Sequence, residues 1–254
     1  MFADNDRKKY IKLLIECGCD VGLLTPTAQT PLMTALARGW RDGDSLDPSD
    51  AEIFEYLLDA GCPMDEVTEG DYRFGHSGTV LKFAAERGSL SLMEKLLEKG
   101  ADVDKPDQKS VTPLMAAVMN KKPECVQLLL DYGCDVRSTG RVRIDDTETV
   151  MSPFRFALLK GDRDICRQLI LAGANVDEEI ARLSNEELND FLQQEDFLTW
   201  LNTITTGVLP LSSLCRSTIR KALSYGLSGK VEELPLPDRM KMFLLMQDVP
   251  GVSG

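Results

Sequence analysis

Seven cysteines, one histidine and two adjacent acid pairs are the residues of this 254-residue chain best suited to chemistry. Cys17-x-Cys19 sets two thiols close enough to share a soft metal, and His76 is the one imidazole. Structural zinc takes four Cys or His ligands, commonly as two close pairs. One close cysteine pair and a single histidine fall short of that set, and any triad would rest on His76 alone. Asp145-Asp146 and Glu178-Glu179 offer paired carboxylates, but both lie in charged stretches where solvated loop or helix-start charges are the simpler assignment. No glycine-rich phosphate loop is present. The expectation is a chain with no catalytic residue, no metal and no cofactor.

Seven thiols are an odd number, and the opening Met-Phe-Ala-Asp-Asn-Asp-Arg has no apolar core, so a reduced cytosolic or nuclear setting is expected. The longest apolar runs, such as Ile11 to Ile15 and Gln127 to Leu130 with their neighbours, are too short to cross a bilayer. A net charge of −12 argues against nucleic acid or anionic membrane as a partner. That charge is uneven: from Gly207 onward six Lys/Arg face four Asp/Glu, a balance of +2, so the remainder carries −14. The acidic body points to a partner with a basic patch.

The elements that would position anything on this chain repeat. Leu-Leu or Leu-Ile pairs followed by glycine recur at Gly18, Gly61, Gly100, Gly133 and Gly173. Upstream of four of these glycines stand Thr30-Pro31-Leu32, Thr79-Val80-Leu81, Thr112-Pro113-Leu114 and Ser152-Pro153-Phe154. Each is followed three residues later by alanine, at Ala35, Ala84, Ala117 and Ala157. Thr or Ser before Pro provides a side-chain cap and a first helical position that needs no N–H. The alanines let that first helix pack closely, and the Leu-Leu pairs form the stripe of a second helix. The glycine then ends the second helix in a left-handed turn.

These motifs resemble the ankyrin repeat over residues 5 to 178. Thr79 to Thr112 and Gly100 to Gly133 both span 33 residues, the ankyrin period. The glycine spacings of 43, 39 and 40 elsewhere require extra residues. One insertion, about Gly39 to Asp50, falls between the two helices of its repeat. Two more, Glu66 to Gly75 and Arg137 to Val150, fall in loops between repeats. The first unit shows only its second helix. Cys19, Cys62 and Cys134 occupy the position of Ala101 and Ala174, which predicts three small buried side chains after the glycine turn.

After Val176 the pattern stops, and residues 178 to 200 hold seven acids against one arginine. Ser184-x-x-Glu187 reads as a capping box opening a connector helix with Leu188, Phe191 and Leu192 on one side. In the tail, Leu211, Leu214, Cys215, Ile219, Ala222 and Leu223 fall on one helical face opposite Ser212, Ser213, Arg216 and Arg220. So small a helix cannot bury its stripe alone. Next come Leu234-Pro235-Leu236-Pro237, whose alternate prolines fix an extended backbone, and then Met240, Phe243, Leu244 and Leu245.

Pro210, Leu211, Cys215 and Ile219 resemble the elongin-binding motif, with three residues between Leu211 and Cys215 and three before Ile219. That resemblance implies an elongin C surface of Pro210, Leu211, Leu214, Cys215, Ile219 and Leu223, with Leu211 as its anchor. Leu234, Pro235, Leu236, Pro237, Phe243 and Leu244 resemble the cullin box that directs such proteins to cullin 5; Phe243 stands where tyrosine is usual. In this order the two motifs resemble a SOCS box. The whole chain is therefore similar to the ankyrin repeat and SOCS box family.

The resemblance implies an all-α fold: an ankyrin-repeat solenoid of about five repeats over 1–177, an acidic helical connector over 178–206 and a small helical SOCS box over 207–254. It also implies a non-catalytic substrate adaptor that binds elongin B, elongin C and cullin 5 with its RING subunit, and an unknown protein substrate. The alternative is a scaffold or inhibitor that binds elongins without productive ubiquitination. Ankyrin proteins bind ligands with loops and first helices, so Arg137, Arg141, Arg143, Asp145 and Asp146 of the third insertion are the candidate substrate contacts.

Overall fold

The computed structural model describes residues 4–25, 29–39, 48–68, 78–144 and 147–181. Among the described residues, those up to Pro113 form one compact unit and those from Leu114 onward a second. The expected tail surfaces, from Pro210 to Leu244, lie outside the described residues, as do His76, the Ser184–Glu187 capping box, Asp145 and Asp146.

The first unit holds α1 (Asp4–Glu16), α2 (Pro31–Gly39), α3 (Pro48–Asp59), α4 (Val80–Arg87) and α5 (Leu90–Glu98). The capped starts read from the sequence are present: the Met33 N–H donates to Thr30 Oγ1 at 3.1 Å and the Lys82 N–H to Thr79 Oγ1 at 3.2 Å. Both threonines are fully buried, so each cap satisfies a backbone donor that water could not reach. Leu32 and Leu36 of α2, with Phe54 and Leu57 of α3, form one packed layer. Leu81 and Ala84 of α4, with Met93 and Leu96 of α5, form the next, each fully buried. Gly100 closes α5 at φ 89°, a conformation that any side chain would strain.

Helix α1 leans on α3 through its polar side. Arg7 pairs with Asp50 at 2.9 Å, Lys8 pairs with Glu52, and Lys12 lies 5.6 Å from the centroid of the Tyr56 ring. It holds the place of a second helix in the repeat pattern, as the sequence predicts.

The second unit carries α6 (Pro113–Met119), α7 (Pro123–Asp131), α8 (Pro153–Leu159), α9 (Arg163–Leu171) and α10 (Val176–Ala181). Proline opens α7 and α8 where its missing N–H is harmless, and Ser152 Oγ accepts from the Arg155 N–H at 3.1 Å. Phe154 and Leu158 of α8 and Ile165 and Leu169 of α9 fill the space between those two helices, each at most 1% exposed.

The paired-helix plan read from the repeats is the plan observed, and the fold is of the all-α class. One departure stands out among the described residues. The stretch Arg137 to Val150, expected as a loop extension, contains a β-hairpin of β1 (Gly140–Ile144) and β2 (Thr147–Met151). Its five residue pairs run from Gly140 opposite Met151 to Ile144 opposite Thr147.

Candidate partner-binding surfaces

The hairpin positions the candidate substrate residues. Successive side chains on a strand point to opposite faces, and directly paired residues share a face. Val142 and Met151, each 2% exposed, turn inward. Arg141 and Arg143 turn outward with their partners Val150 and Glu148, and all four are exposed. The outward face is thus two arginines beside one glutamate and a valine 56% exposed. Arg137 precedes β1, exposed, in a turn where its N–H donates to Asp135 Oδ1 at 3.0 Å. The structure therefore brings Arg141 and Arg143 onto one surface and leaves Arg137 outside it.

The cysteines need one correction. Cys62 and Cys134 are buried as expected, but Cys19 is exposed, as is Cys17. Cys62 is covered because the loop of the preceding helix reaches over it, its thiol donating to the Val21 carbonyl at 3.1 Å. Among the described residues no repeat precedes α1 to do the same for Cys19. Burial pushes the thiols of Cys62 and Cys166 upward, and that of Cys125 up to about 11. Among the described residues no group of three or more His, Cys, Asp or Glu side chains is placed to hold a metal ion. Nor is any helix there long and apolar enough to cross a membrane.

A charged cluster escaped the sequence reading. Lys82 on α4, its side chain 5% exposed, places Nζ 2.6 Å from Glu86 Oε1 and 3.3 Å from Asp107 Oδ2. Asp107 also accepts from the Lys109 and Val111 N–H groups, each at 2.8 Å, and so shapes the loop that follows α5. The signal was there in the repeat alignment. Lys82 occupies the position of Met33 and Met115, which are 5% and 1% exposed. A lysine at a buried apolar position needs a buried acid nearby.

Comparison with known proteins bears on the segments in turn. The family profile described as ankyrin repeats (3 copies) matches residues 46–140 and 81–180, and that described as SOCS box matches residues 207–245. The human protein named Ankyrin repeat and SOCS box protein 11 is 26% identical over 172 residues, covering 68% of this chain and 50% of that relative. The human Ankyrin repeat and SOCS box protein 9 is 27% identical over 175 residues, covering 69% of this chain and 45% of that relative. A segment of the E3 ubiquitin-protein ligase KEG of Arabidopsis thaliana is 36% identical over 123 residues, 47% of this chain and 7% of that protein. The chain spans about half the length of the first two relatives. With both profiles in this order, the chain belongs to the ankyrin repeat and SOCS box family.

Proposed function

We propose that this chain is a substrate-recognition adaptor of a ubiquitin ligase built on elongin B, elongin C, cullin 5 and a RING subunit. The observation that carries the reading is the SOCS box match at residues 207–245, on the C-terminal side of the ankyrin repeats. In this reading Pro210, Leu211, Leu214, Cys215, Ile219 and Leu223 seat on elongin C. Leu234, Pro235, Leu236, Pro237, Phe243 and Leu244 face the cullin. The repeat segment holds a protein substrate, and catalysis resides in the partner subunits. A leucine buried in a partner pocket contributes about 1.5–3 kcal/mol, enough for Leu211 to act as an anchor.

The hairpin's outer face is the proposed substrate contact. It joins two fixed positive charges to an exposed valine, and arginine with an apolar neighbour is the composition of an interface centre.

Co-purification from cells tests the ligase half. The wild-type chain should retain elongins B and C with cullin 5, and Leu211→Pro/Cys215→Phe should lose all three. Retention by the double variant sinks the assignment. Phe243→Tyr, which restores the usual ring hydroxyl, should leave elongin binding unchanged and hold or strengthen the cullin. In a reconstituted reaction, a protein that binds the repeats yet is never ubiquitinated would favour a non-degradative scaffold instead.

A further inference from the structure

The register of the hairpin fixes which backbone groups its strands turn outward. Ile144 and Thr147 are paired, with only two residues between them. Residues opposed across so short a connection exchange both backbone hydrogen bonds, and along an antiparallel ladder such pairs alternate with pairs that exchange none. The bonded pairs are therefore Ile144 with Thr147, Val142 with Thr149 and Gly140 with Met151. Arg141 and Arg143 belong to the other set, opposite Val150 and Glu148. Their backbone N–H and C=O groups point away from β2, along the outer edge of β1. Those of Glu148 and Val150 point out along the edge of β2.

The side chains decide which edge suits a further strand and what that strand carries. A strand added to β1 sets the residues opposite Arg141 and Arg143 on the same exposed face as those arginines. Arg143 already stands opposite Glu148, whereas Arg141 stands opposite Val150, with no acid directly across from it. On this edge an acidic residue gains a charge-assisted contact. On the β2 edge the same residue sits beside Glu148, a like charge that weakens the pairing. A second copy of this chain meets the same obstacle, because β1 laid against β1 sets arginine opposite arginine. The residue between the two acids turns to the side of Val142, which is 2% exposed, and is therefore apolar or small.

We infer that the edge of β1 takes an extended acidic segment of the substrate protein as a third strand. That segment sets Asp or Glu beside Arg141 and Arg143, with an apolar or small residue between them. The inference deepens the reading of the hairpin as the substrate contact, and rests on it. Main-chain hydrogen bonds hold the segment, and the two arginines select its alternation of acidic and apolar residues. The net charge of −12 does not forbid this, because at physiological salt exposed charges more than about 8 Å away are largely screened.

The probe is a fluorescein-labelled peptide, Thr-Glu-Val-Glu-Val-Glu-Thr, titrated into the full-length chain by fluorescence anisotropy. It should bind saturably, and Arg141→Glu should weaken it by about tenfold or more. The same peptide with lysine for glutamate should not bind. Methylating the backbone nitrogens of the glutamates or of the valines separates strand addition from simple charge attraction, because only one alternate set faces β1. One set should weaken binding about tenfold and the other by no more than about twofold. Absence of binding, binding that Arg141→Glu leaves unchanged, or the same response to both methylated sets overturns the third strand. So does a dimer in sedimentation that Arg141→Glu disperses, because a second copy would then hold the edge. Capture of the cellular substrate tests the reading beneath. Capture lost in Arg141→Glu without peptide binding sinks the strand and leaves the hairpin a contact through side chains alone. Equal capture by the Arg141→Glu chain sinks the hairpin contact itself.

Discussion

Lys82 Nζ lies 3.3 Å from Asp107 Oδ2, with the two side chains 5% and 4% exposed. The pair ties α4 to the loop after α5, and Glu86 completes the neutralisation of the lysine from one turn along its own helix.

Removing one partner strands the other. Asp107→Ala leaves a buried ammonium short of one acid and deletes the acceptor for the Lys109 and Val111 N–H groups. It should cost about 3–5 kcal/mol in urea unfolding. Lys82→Met combined with Asp107→Asn restores the residue type found at Met33 and Met115 and keeps an acceptor for the turn. The double variant should lose clearly less than Asp107→Ala alone. An equal or larger loss would mean that the ion pair itself stabilises the unit.

Asp65 carries a carboxyl raised above its ordinary range, first by burial, with Asp102 nearby adding to the effect. Its Oδ1 accepts from the Asp102 N–H at 2.9 Å, which pulls the other way. An acid with a raised folded-state value binds protons more readily folded than unfolded. Its charged form therefore weakens the fold as pH climbs above the ordinary carboxylate range. Asp65→Asn keeps the acceptor without the charge. It should raise the melting temperature at neutral pH, with the gain fading as pH falls to where the carboxyl is protonated in both states.

Thiol alkylation should follow burial. At pH 8, Cys17 and Cys19 should be modified first among the six described cysteines, as read by peptide mass mapping. Cys125, pushed up to about 11, exposes almost no thiolate at that pH, and Cys62 and Cys166 are held up by burial as well. Rapid labelling of Cys62 would show that the loop over it opens freely.

The two faces of the hairpin should separate stability from recognition. Met151→Ala, at a side chain 2% exposed, should cost about 2–5 kcal/mol in chemical unfolding. Arg141→Glu sits on the outward face and should change stability by no more than about 0.5 kcal/mol. If the hairpin contacts substrate, Arg141→Glu should nonetheless weaken capture of that protein, with elongin binding intact.

The helical repeats were legible because their punctuation is chemical. Thr30-Pro31, Thr112-Pro113 and Ser152-Pro153, each followed by a bulky apolar residue and an alanine three positions on, suit a helix start, and Gly100 is needed where φ is positive. The hairpin was harder to see, although Arg141-Val142-Arg143-Ile144 and Thr147-Glu148-Thr149-Val150 do alternate polar with apolar. Each run is only four residues long and half polar, so charge dominates and a loop reading wins. Cys19 was misplaced because its burial depends on a covering loop that the described residues do not supply, and position within a repeat does not report that. Lys82 was missed because a lone lysine in a helix reads as surface until two of its three sister positions, Met33 and Met115, are found to be buried methionines.

The hairpin pairs its two strands over five residues and is anchored by the deeply buried Val142 and Met151. The outward face of a segment built in this way can be changed while Val142, Met151 and the helix pairs on either side keep their packing. If the hairpin contacts substrate as proposed, that face gives an evolving lineage a place to change its choice of target without refolding the repeats. For the same reason it is a natural graft point for an engineered recognition loop.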